Sequence, residues 1–369
     1  MSFVLERSGL GRLVSILREE GHEVYGPVVV DRAIRYRRIE DIADLASGVR
    51  DVQGPGHYAL AERVDGAVFG HTVGANSLKD LFFPARRAVW TSVREGNSHI
   101  FEPAEPTATK LAVIGARACE VAAMSIQDEV LLNGTYVDTD YLRRRRDAFI
   151  VSIDCTEPGE VCFCNSMGTG PAADSGFDLA MTELQIDGQW EYVGRCGTER
   201  GEAILERVGH RVPDQIEVDR ARSAVSMAAA AMGRELTTAG LPEFLASHRE
   251  HPVWAEIADR CLGCGNCTQA CPTCFCVSTL DTSGLDGRSA GRSVRWDSCF
   301  SLDFSFMGGR PHRSSLDSRY RQWLTHKLSG WVEQFGTSGC VGCGRCITWC
   351  PVGIDFTAEI PRMTELVDG

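Results

Sequence analysis

The spacing of hydrophobic and polar residues along this chain predicts a mixed α/β fold in its N-terminal half. A helical pattern covers residues 10–20, and short strand-like stretches follow at 28–30 and 35–39. Two buried strands are predicted at 111–115 and 148–154, with a helix between them at 119–132. A strand, a helix and a second strand within this length predict a βαβ unit with parallel strands. Further strands are predicted at 178–184 and 190–193.

The pattern changes in the second half of the chain. Residues 214–260 are strongly helical, with breaks at Pro213, Pro242 and Pro252. Two cysteine-rich runs follow, and both read C-x₂-C-x₂-C-x₃-C-P. The first run, residues 261–272, is Cys-Leu-Gly-Cys-Gly-Asn-Cys-Thr-Gln-Ala-Cys-Pro, and the second run, residues 340–351, is Cys-Val-Gly-Cys-Gly-Arg-Cys-Ile-Thr-Trp-Cys-Pro.

This spacing is that of bacterial ferredoxins, in which three cysteines of a run bind one 4Fe–4S cluster and the fourth binds the cluster of the other run. The predicted ligands of the first cluster are Cys261, Cys264, Cys267 and Cys350. The predicted ligands of the second cluster are Cys340, Cys343, Cys346 and Cys271. A zinc site closes with four ligands and does not need the third cysteine of a run. Disulfide frameworks are typical of small secreted chains, so iron is the expected metal.

These patterns divide the chain into three expected parts. Residues 1–212 are predicted to form an α/β domain, residues 213–260 a helical connector, and residues 261–369 a ferredoxin-like domain with two clusters. The fold class is therefore α+β or α/β. An insert, residues 273–339, separates the two runs and contains a predicted helix at 315–335. The exchange of fourth ligands requires that this insert loop out while the runs pair.

Eight further cysteines lie outside these two ligand sets. Three of them, Cys155, Cys162 and Cys164, occur within ten residues that are rich in turns. The βαβ geometry places Cys119 beside Cys155, because carboxyl ends of parallel strands meet at one edge of a sheet. We therefore predict a third 4Fe–4S cluster on Cys119, Cys155, Cys162 and Cys164. Cys196 is the competing fourth ligand, and buried thiols or a redox pair remain alternatives.

The last three cysteines, Cys274, Cys276 and Cys299, are expected to pack around the clusters or to tune their potentials.

The net charge and the apolar patterning of the chain argue against several classes of function. A formal net charge of −12 argues against a nucleic-acid role and fits protein partners. No apolar stretch approaches the length of a membrane span, and the N-terminus lacks the features of a signal peptide. Reduced thiols without an export signal indicate the cytoplasm.

Several motifs resemble one known family. In the C-terminal half they are Cys271-Pro-Thr-Cys-Phe-Cys276, Arg295-Trp-Asp-Ser-Cys299, Arg321-Gln-Trp-Leu-Thr-His-Lys327 and the second run. In the N-terminal half they are Gly115-Ala-Arg-Ala-Cys119-Glu and Cys162-Phe-Cys-Asn-Ser-Met-Gly-Thr-Gly-Pro171. Together they resemble the 4Fe–4S dicluster (beta) subunit of cytoplasmic, NADP-linked nickel–iron hydrogenases and sulfhydrogenases. The related iron–sulfur subunit of anaerobic sulfite reductase is similar. The family usually has Arg-Pro-Cys-Asp where this chain has Arg-Ala-Cys119-Glu.

The resemblance implies a non-catalytic electron-transfer subunit with no catalytic residues of its own. Its partners in the family are a flavin subunit that meets NAD(P)H and the large and small nickel–iron hydrogenase subunits. The sequence agrees, since it has no G-x-G-x-x-G after a strand for a dinucleotide. Two alternatives stay open: a relay in a sulfite reductase or another flavin-linked reductase, and a redox-sensing or structural iron–sulfur protein. Two clusters in a ferredoxin arrangement favour electron transfer over sensing.

Overall fold

The structure, a computed structural model, describes residues 1–72, 74–104 and 110–368. The strands are β1 (Ser2–Glu6), β2 (His22–Val30), β3 (Ala33–Arg38), β4 (Val49–Gly54), β5 (His57–Glu62), β6 (Arg86–Glu95), β7 (Ser98–Pro103), β8 (Lys110–Ala116), β9 (Phe149–Ile153), β10 (Leu179–Ile186), β11 (Gln189–Cys196), β12 (Val277–Ser283), β13 (Ser289–Trp296), β14 (Phe306–Met307) and β15 (Arg310–Pro311). The helices are α1 (Arg7–Glu19), α2 (Lys79–Phe82), α3 (Ala118–Leu131), α4 (Thr139–Arg146), α5 (Glu199–Val208), α6 (Gln215–Ala230), α7 (Leu241–Ser247), α8 (Val253–Arg260), α9 (Asn266–Gln269), α10 (Leu316–Thr325), α11 (Trp331–Phe335), α12 (Arg345–Thr348) and α13 (Phe356–Asp368).

A seven-stranded sheet in the order β1-β11-β10-β9-β8-β2-β3 organises the N-terminal half. Strands β2, β8, β9 and β10 run parallel to one another, and β1, β11 and β3 pair antiparallel with their neighbours. Strands β8 and β9 flank α3, so the predicted βαβ unit and the mixed α/β class are confirmed. All five residues of β9 are buried, as expected for a central parallel strand that is covered on both faces.

Alternate residues of β8 build two different cores. Ala112 and Ile114 pack with α1 and α5 on one face of the sheet. Leu111 and Val113 pack with α3 and α4 on the other face. This alternation follows from the two-residue period of a strand. The carboxyl ends of β8 and β9 lie at one edge of the sheet, where α3 follows β8 and a loop follows β9.

The insert between the two cysteine runs contributes to a second sheet. Its hairpin β12–β13 extends the N-terminal hairpin β6–β7, in the order β12-β13-β6-β7. For example, Gly291 of β13 pairs with Thr91 of β6. The predicted helix at 315–335 is present as α10, a π-helical turn at His326–Gly330, and α11. The insert therefore connects regions of the chain that are far apart in sequence.

The predicted helical stretch at 214–260 consists of three helices. Helix α6 packs against β10 and β11 of the large sheet. Helices α7 and α8 instead join α10 and α13 in the hydrophobic core beneath the second half of the chain. That core includes the fully buried Trp254 and, from α10, Tyr320 and Trp323. These aromatic residues form the wall on which the two cysteine runs lie.

Candidate metal centres

Cysteines of both runs line one pocket, here called the first cavity. From the first run it is lined by Cys261, Cys264 and Cys267, and from the second run by Cys350, with Cys346 at its border. Burial, and then the thiols of Cys350 and Cys264, raise the pKa of Cys261. The structure thus brings the fourth cysteine of the second run to the first three cysteines of the first run.

A second cavity has the reciprocal lining. Its cysteines are Cys340, Cys343, Cys346 and Cys271. Burial, followed by the thiols of Cys340, Cys343, Cys271 and Cys267, raises the pKa of Cys346 well above its ordinary value. Cys346 lines both cavities, so the two cavities are neighbours.

The two runs have the same backbone conformation, and glycine makes it possible. Glycines with positive φ occupy equivalent places: Gly263 at 63°, Gly265 at 75°, Gly342 at 64° and Gly344 at 72°. Residues with a side chain rarely adopt this conformation. It turns the Gly263 N–H toward Cys261 Sγ at 3.4 Å, and the Gly342 N–H toward Cys340 Sγ at 3.5 Å. The third cysteine of each run then lies in a short helix, α9 or α12, and these helices pack together.

The walls of the cavities suit a sulfur-rich group. Phe300 and Phe356 line the first cavity, which is otherwise largely apolar. The Tyr320 hydroxyl and Trp323 Nε1 are buried without a hydrogen-bond partner, and both side chains line it. Buried donors normally have an acceptor, and cluster sulfurs accept hydrogen bonds. In the part of the chain that the structure describes, no three His, Cys, Asp or Glu side chains converge as ligands of a single ion. The cysteines stand around cavities instead.

A buried ammonium group borders the second cavity. Lys327 Nζ donates to Thr273 Oγ1 at 2.7 Å and to the Gly339 carbonyl at 3.3 Å. Burial alone would lower the pKa of Lys327, but the thiolates of Cys271, Cys274 and Cys340 raise it instead. A hydrogen bond from the Cys274 thiol, together with the Lys327 charge, holds the pKa of Cys271 well below its ordinary value despite burial.

The cysteines predicted to bind a third cluster lie close to the second cavity. Cys119 is the second residue of α3, and Cys155 follows β9 by two residues. Cys119 and Cys164 belong to one buried group with Cys343 of the second run. Burial, and then the Cys155 thiol, raise the pKa of Cys162 to about 12, and a smaller contribution comes from Cys343. A buried guanidinium accompanies them, since Arg117 Nη1 lies 3.8 Å from Cys155 Sγ.

Cys196 has different surroundings. It ends β11, its N–H donates to the Met1 carbonyl at 3.0 Å, and it packs against the core under α1 and α5. Burial raises its pKa, and the charged groups that also act on it are the N-terminal ammonium and Glu202. No cysteine is among them. The structure therefore groups Cys119, and not Cys196, with Cys164.

The remaining cysteines lie beside the two cavities. Cys274 donates to Cys271, as described above. Burial and then the Cys276 thiol raise the pKa of Cys299 to about 12. Cys299 in turn is, after burial, the first of the thiols that raise the pKa of Cys267. Cys274 and Cys299 therefore each lie near a predicted cluster ligand, and Cys276 lies near Cys299.

One pair of residues near the cysteines was missed by the sequence analysis. Arg345 Nη2 lies 2.5 Å from Glu120 Oε1, and the two side chains are 1 % and 0 % exposed. Arg345 Nε also donates to the Gly74 carbonyl at 2.8 Å. This ion pair joins the first turn of α3 to the second run. The only sequence signal was the adjacency of Glu120 to Cys119 and of Arg345 to Cys346.

Comparison with known proteins agrees with this geometry. Residues 260–354 match a protein-family model described as a 4Fe–4S dicluster domain. The chain is thus an iron–sulfur protein with a two-cluster domain in its C-terminal half. It is 30 % identical over 353 residues to sulfhydrogenase 2 subunit beta of Pyrococcus furiosus, which covers 95 % of this chain and 94 % of that relative. The chain belongs to the family of sulfhydrogenase beta subunits, which confirms the resemblance seen in its motifs.

Two further findings complete the comparison. No solved structure matches the chain. Within residues 1–72, 74–104 and 110–368, no helix is both long and apolar enough to cross a membrane.

Proposed function

We propose that this chain relays electrons between a flavin subunit that exchanges electrons with NAD(P)H and a nickel–iron hydrogenase core. The observation that supports the proposal best is the reciprocal lining of two adjacent cavities by cysteines of both runs. This is the arrangement in which ferredoxins hold two clusters. The relative's name, sulfhydrogenase 2 subunit beta, supports a hydrogenase as the partner.

The proposed ligands follow the two cavities. The first cluster is held by Cys261, Cys264, Cys267 and Cys350. The second cluster is held by Cys340, Cys343, Cys346 and Cys271. Each cluster, when bound, accepts and releases one electron. The chain positions the clusters, excludes water with aromatic walls and supplies nearby charges and donors that set their potentials.

A third 4Fe–4S cluster on Cys119, Cys155, Cys162 and Cys164 is part of the proposal. Its support is the shared burial of Cys119 and Cys164, together with the Cys155 thiol, which, after burial, raises the pKa values of both Cys162 and Cys164. Buried cations stand beside them, because Arg117 approaches Cys155 and Arg345 approaches Cys119. A cluster with four thiolates is anionic, and buried cations offset the cost of burying that charge.

The three proposed centres form a line. Cys343 belongs to the second ligand set and is buried with Cys119 and Cys164 of the third. Cys346 borders both the second and the first cavity. The second centre therefore lies between the other two, and electrons entering at one end of the line can leave at the other.

Purification of the native complex without oxygen tests the proposal. We expect nickel and flavin to copurify with this chain. Because a nickel–iron core brings iron of its own, iron is counted on the chain after it is separated from its partners, and it should reach about twelve atoms per chain at four per cluster. NAD(P)H or hydrogen should then bleach the visible absorption of the clusters. A complex that contains sirohaem and no nickel would place the relay in a sulfite reductase. A chain that purifies without iron would refute a relay function altogether.

A further inference from the structure

One helix of the insert lies over both cavities. Tyr320, Trp323 and Lys327 occupy positions i, i+3 and i+7 along α10 and the π-helical turn that follows it, and therefore share one face. Tyr320 lines the first cavity, Trp323 lines both, and Lys327 lines the second. All three side chains are buried. Compact two-cluster ferredoxins have no insert of this length between their runs, so this face is an added feature.

The two cavities meet different polar groups on this face. The first cavity receives the neutral Tyr320 hydroxyl, and the Trp323 Nε1 donor belongs to a side chain that lines both cavities. Neither group has a hydrogen-bond partner in the structure. The second cavity receives the Lys327 ammonium, which Thr273 Oγ1 holds at 2.7 Å. That same hydroxyl lies 3.2 Å from Cys271 Sγ. Among the residues that the structure describes, no carboxylate lies within ion-pair distance of Lys327 Nζ.

Other cations near the cavities reinforce this asymmetry. Lys79 is 5 % exposed, and its Nζ lies 3.8 Å from the ring centre of Trp296. Its charge also interacts electrostatically with the thiols of Cys271 and Cys274. On the side of the first cavity, the charge of Arg319 tends to lower the pKa of Cys261, but Arg319 is only partly buried. Its guanidinium donates to the Phe300 carbonyl at 2.7 Å and to the Ser314 carbonyl at 3.3 Å. Solvent screens a partly exposed charge far more than a buried one.

We propose that Lys327 makes the cluster on the second cavity easier to reduce than the cluster on the first cavity. The inference rests on the cluster assignments of the proposed function. Reduction adds one negative charge, and a buried positive charge that has no carboxylate partner among the described residues stabilises the more negative state strongly. An electron shared between the two clusters, when they are bound, would reside preferentially on the second. No bond forms or breaks. Lys327 would change the reduction potential of the second cluster and is not one of its ligands.

The test is a redox titration of the full-length chain, followed by electron paramagnetic resonance. The signals are assigned with Cys264→Ser, which alters the first cluster, and Cys162→Ser, which alters the third. In the unmodified chain we expect the second cluster to be reduced before the first. In Lys327→Met we expect the ratio of reduced to oxidised second cluster, at a fixed ambient potential, to fall at least tenfold, which is 59 mV for one electron.

A matched control comes from the same helix. Tyr320→Phe removes a neutral donor from the first cavity, so it should lower the potential of the first cluster and leave the second unchanged. Iron content separates the possible failures. Chains that contain no clusters refute the proposed function, whereas fully loaded chains with unchanged potentials in Lys327→Met refute only the role of Lys327.

Two further measurements cover the case in which Lys327→Met does not bind iron. Thr273→Val removes the hydroxyl that holds the ammonium and should shift the potential of the second cluster alone. In the unmodified chain, reduction of the first cluster before the second would overturn the proposal without any variant.

Discussion

At the scale of single residues, the fourth ligand of the third centre is a choice between two cysteines. Cys119 is 7 % exposed and is buried with Cys164 and Cys343. Cys196 lies at the end of β11, the strand beside the edge strand β1, and its N–H donates to the Met1 carbonyl. Thiolate proximity therefore favours Cys119, because a cluster needs its four sulfurs around one core.

We expect Cys119→Ser to lose the iron of one cluster, about four atoms per chain, because a hydroxyl is a much poorer ligand for cluster iron than a thiolate. The matched variant Cys196→Ser should keep the iron content of the unmodified chain. Iron and sulfide are counted after purification without oxygen. Loss of iron from Cys196→Ser together with full iron in Cys119→Ser would show that the assignment is wrong.

The buried pair of Arg345 and Glu120 is the other feature at this scale. Glu120 also accepts a short hydrogen bond from the Tyr36 hydroxyl, so three buried groups share one network. Burial tends to disfavour both charges, and each depends on the other for compensation. Removing one partner leaves the other charged and unpaired in the interior.

Arg345→Met should therefore lower the free energy of unfolding by about 3–5 kcal/mol. The change is measured as a shift in the urea midpoint without oxygen, followed by tryptophan fluorescence. Arg292→Met serves as the control, because Arg292 pairs with Asp281 at an exposed position, and it should leave the midpoint almost unchanged. Equal effects of the two substitutions would contradict the importance of the buried pair.

At the scale of elements, the two runs have one conformation but different neighbours. Gly263 and Gly342 have φ values of 63° and 64°. A Cβ on Gly263 would meet the flexible Leu316 Cδ2 at 2.7 Å. A Cβ on Gly342 would meet the Phe163 backbone at 2.6 Å, where the Phe163 N–H donates to the Gly342 carbonyl. The second run is thus packed directly on the loop that contains Cys162 and Cys164.

Gly263→Ala and Gly342→Ala form a matched pair for this contact. Both place a side chain in the left-handed region, at a cost of about 1–2 kcal/mol. Gly342→Ala should cost a further 1–3 kcal/mol, roughly, because the backbone of the loop must move. It should also reduce the iron bound at the third centre, whereas Gly263→Ala should not. Urea midpoints and iron counts measure the two effects, and identical results for the pair would argue against the packing described.

At the scale of the whole molecule, the exchange of fourth cysteines makes the two runs one unit. Residues after the insert contribute both Cys350 of the first cavity and much of the surrounding core. Buried residues of this part include Ile347, Ile354, Phe356 and Met363. Metal binding is then coupled to the folding of both runs together.

A chain that ends at residue 338 should bind neither of the two clusters, because each loses at least one ligand. Cys155→Ser and Cys162→Ser are included so that the third centre gives no signal. Electron paramagnetic resonance of the reduced fragment is the measurement. A full-occupancy signal from Cys261, Cys264, Cys267 and Cys271 would show that each run uses its own fourth cysteine.

The full-length variant Cys350→Ser controls for misfolding of that fragment. It should disturb the first cluster, although residue 350 belongs to the second run, and Cys271→Ser should disturb the second cluster. Disturbance of the cluster in the same run would contradict the exchange.

The sequence alone determined the features that depend on local spacing. The C-x₂-C-x₂-C-x₃-C-P runs and their glycines predicted two closely similar loops, since ligand spacing and permitted φ values are properties of a few adjacent residues. Hydrophobic periodicity likewise predicted the βαβ unit, because the buried strands β8 and β9 are short continuous apolar runs. The family resemblance followed from the same local motifs.

Only the tertiary structure decided which distant segments meet. The pairing of the insert hairpin with β6, the burial of Lys327 without a carboxylate partner among the described residues, and the pair of Arg345 and Glu120 have no local signature. The same holds for the grouping of Cys119 with Cys164 and Cys343, and for the separation of Cys196 from them. Such contacts arise when elements far apart in the chain pack together. Their positions, and therefore the charges around each cavity, depend on the whole fold.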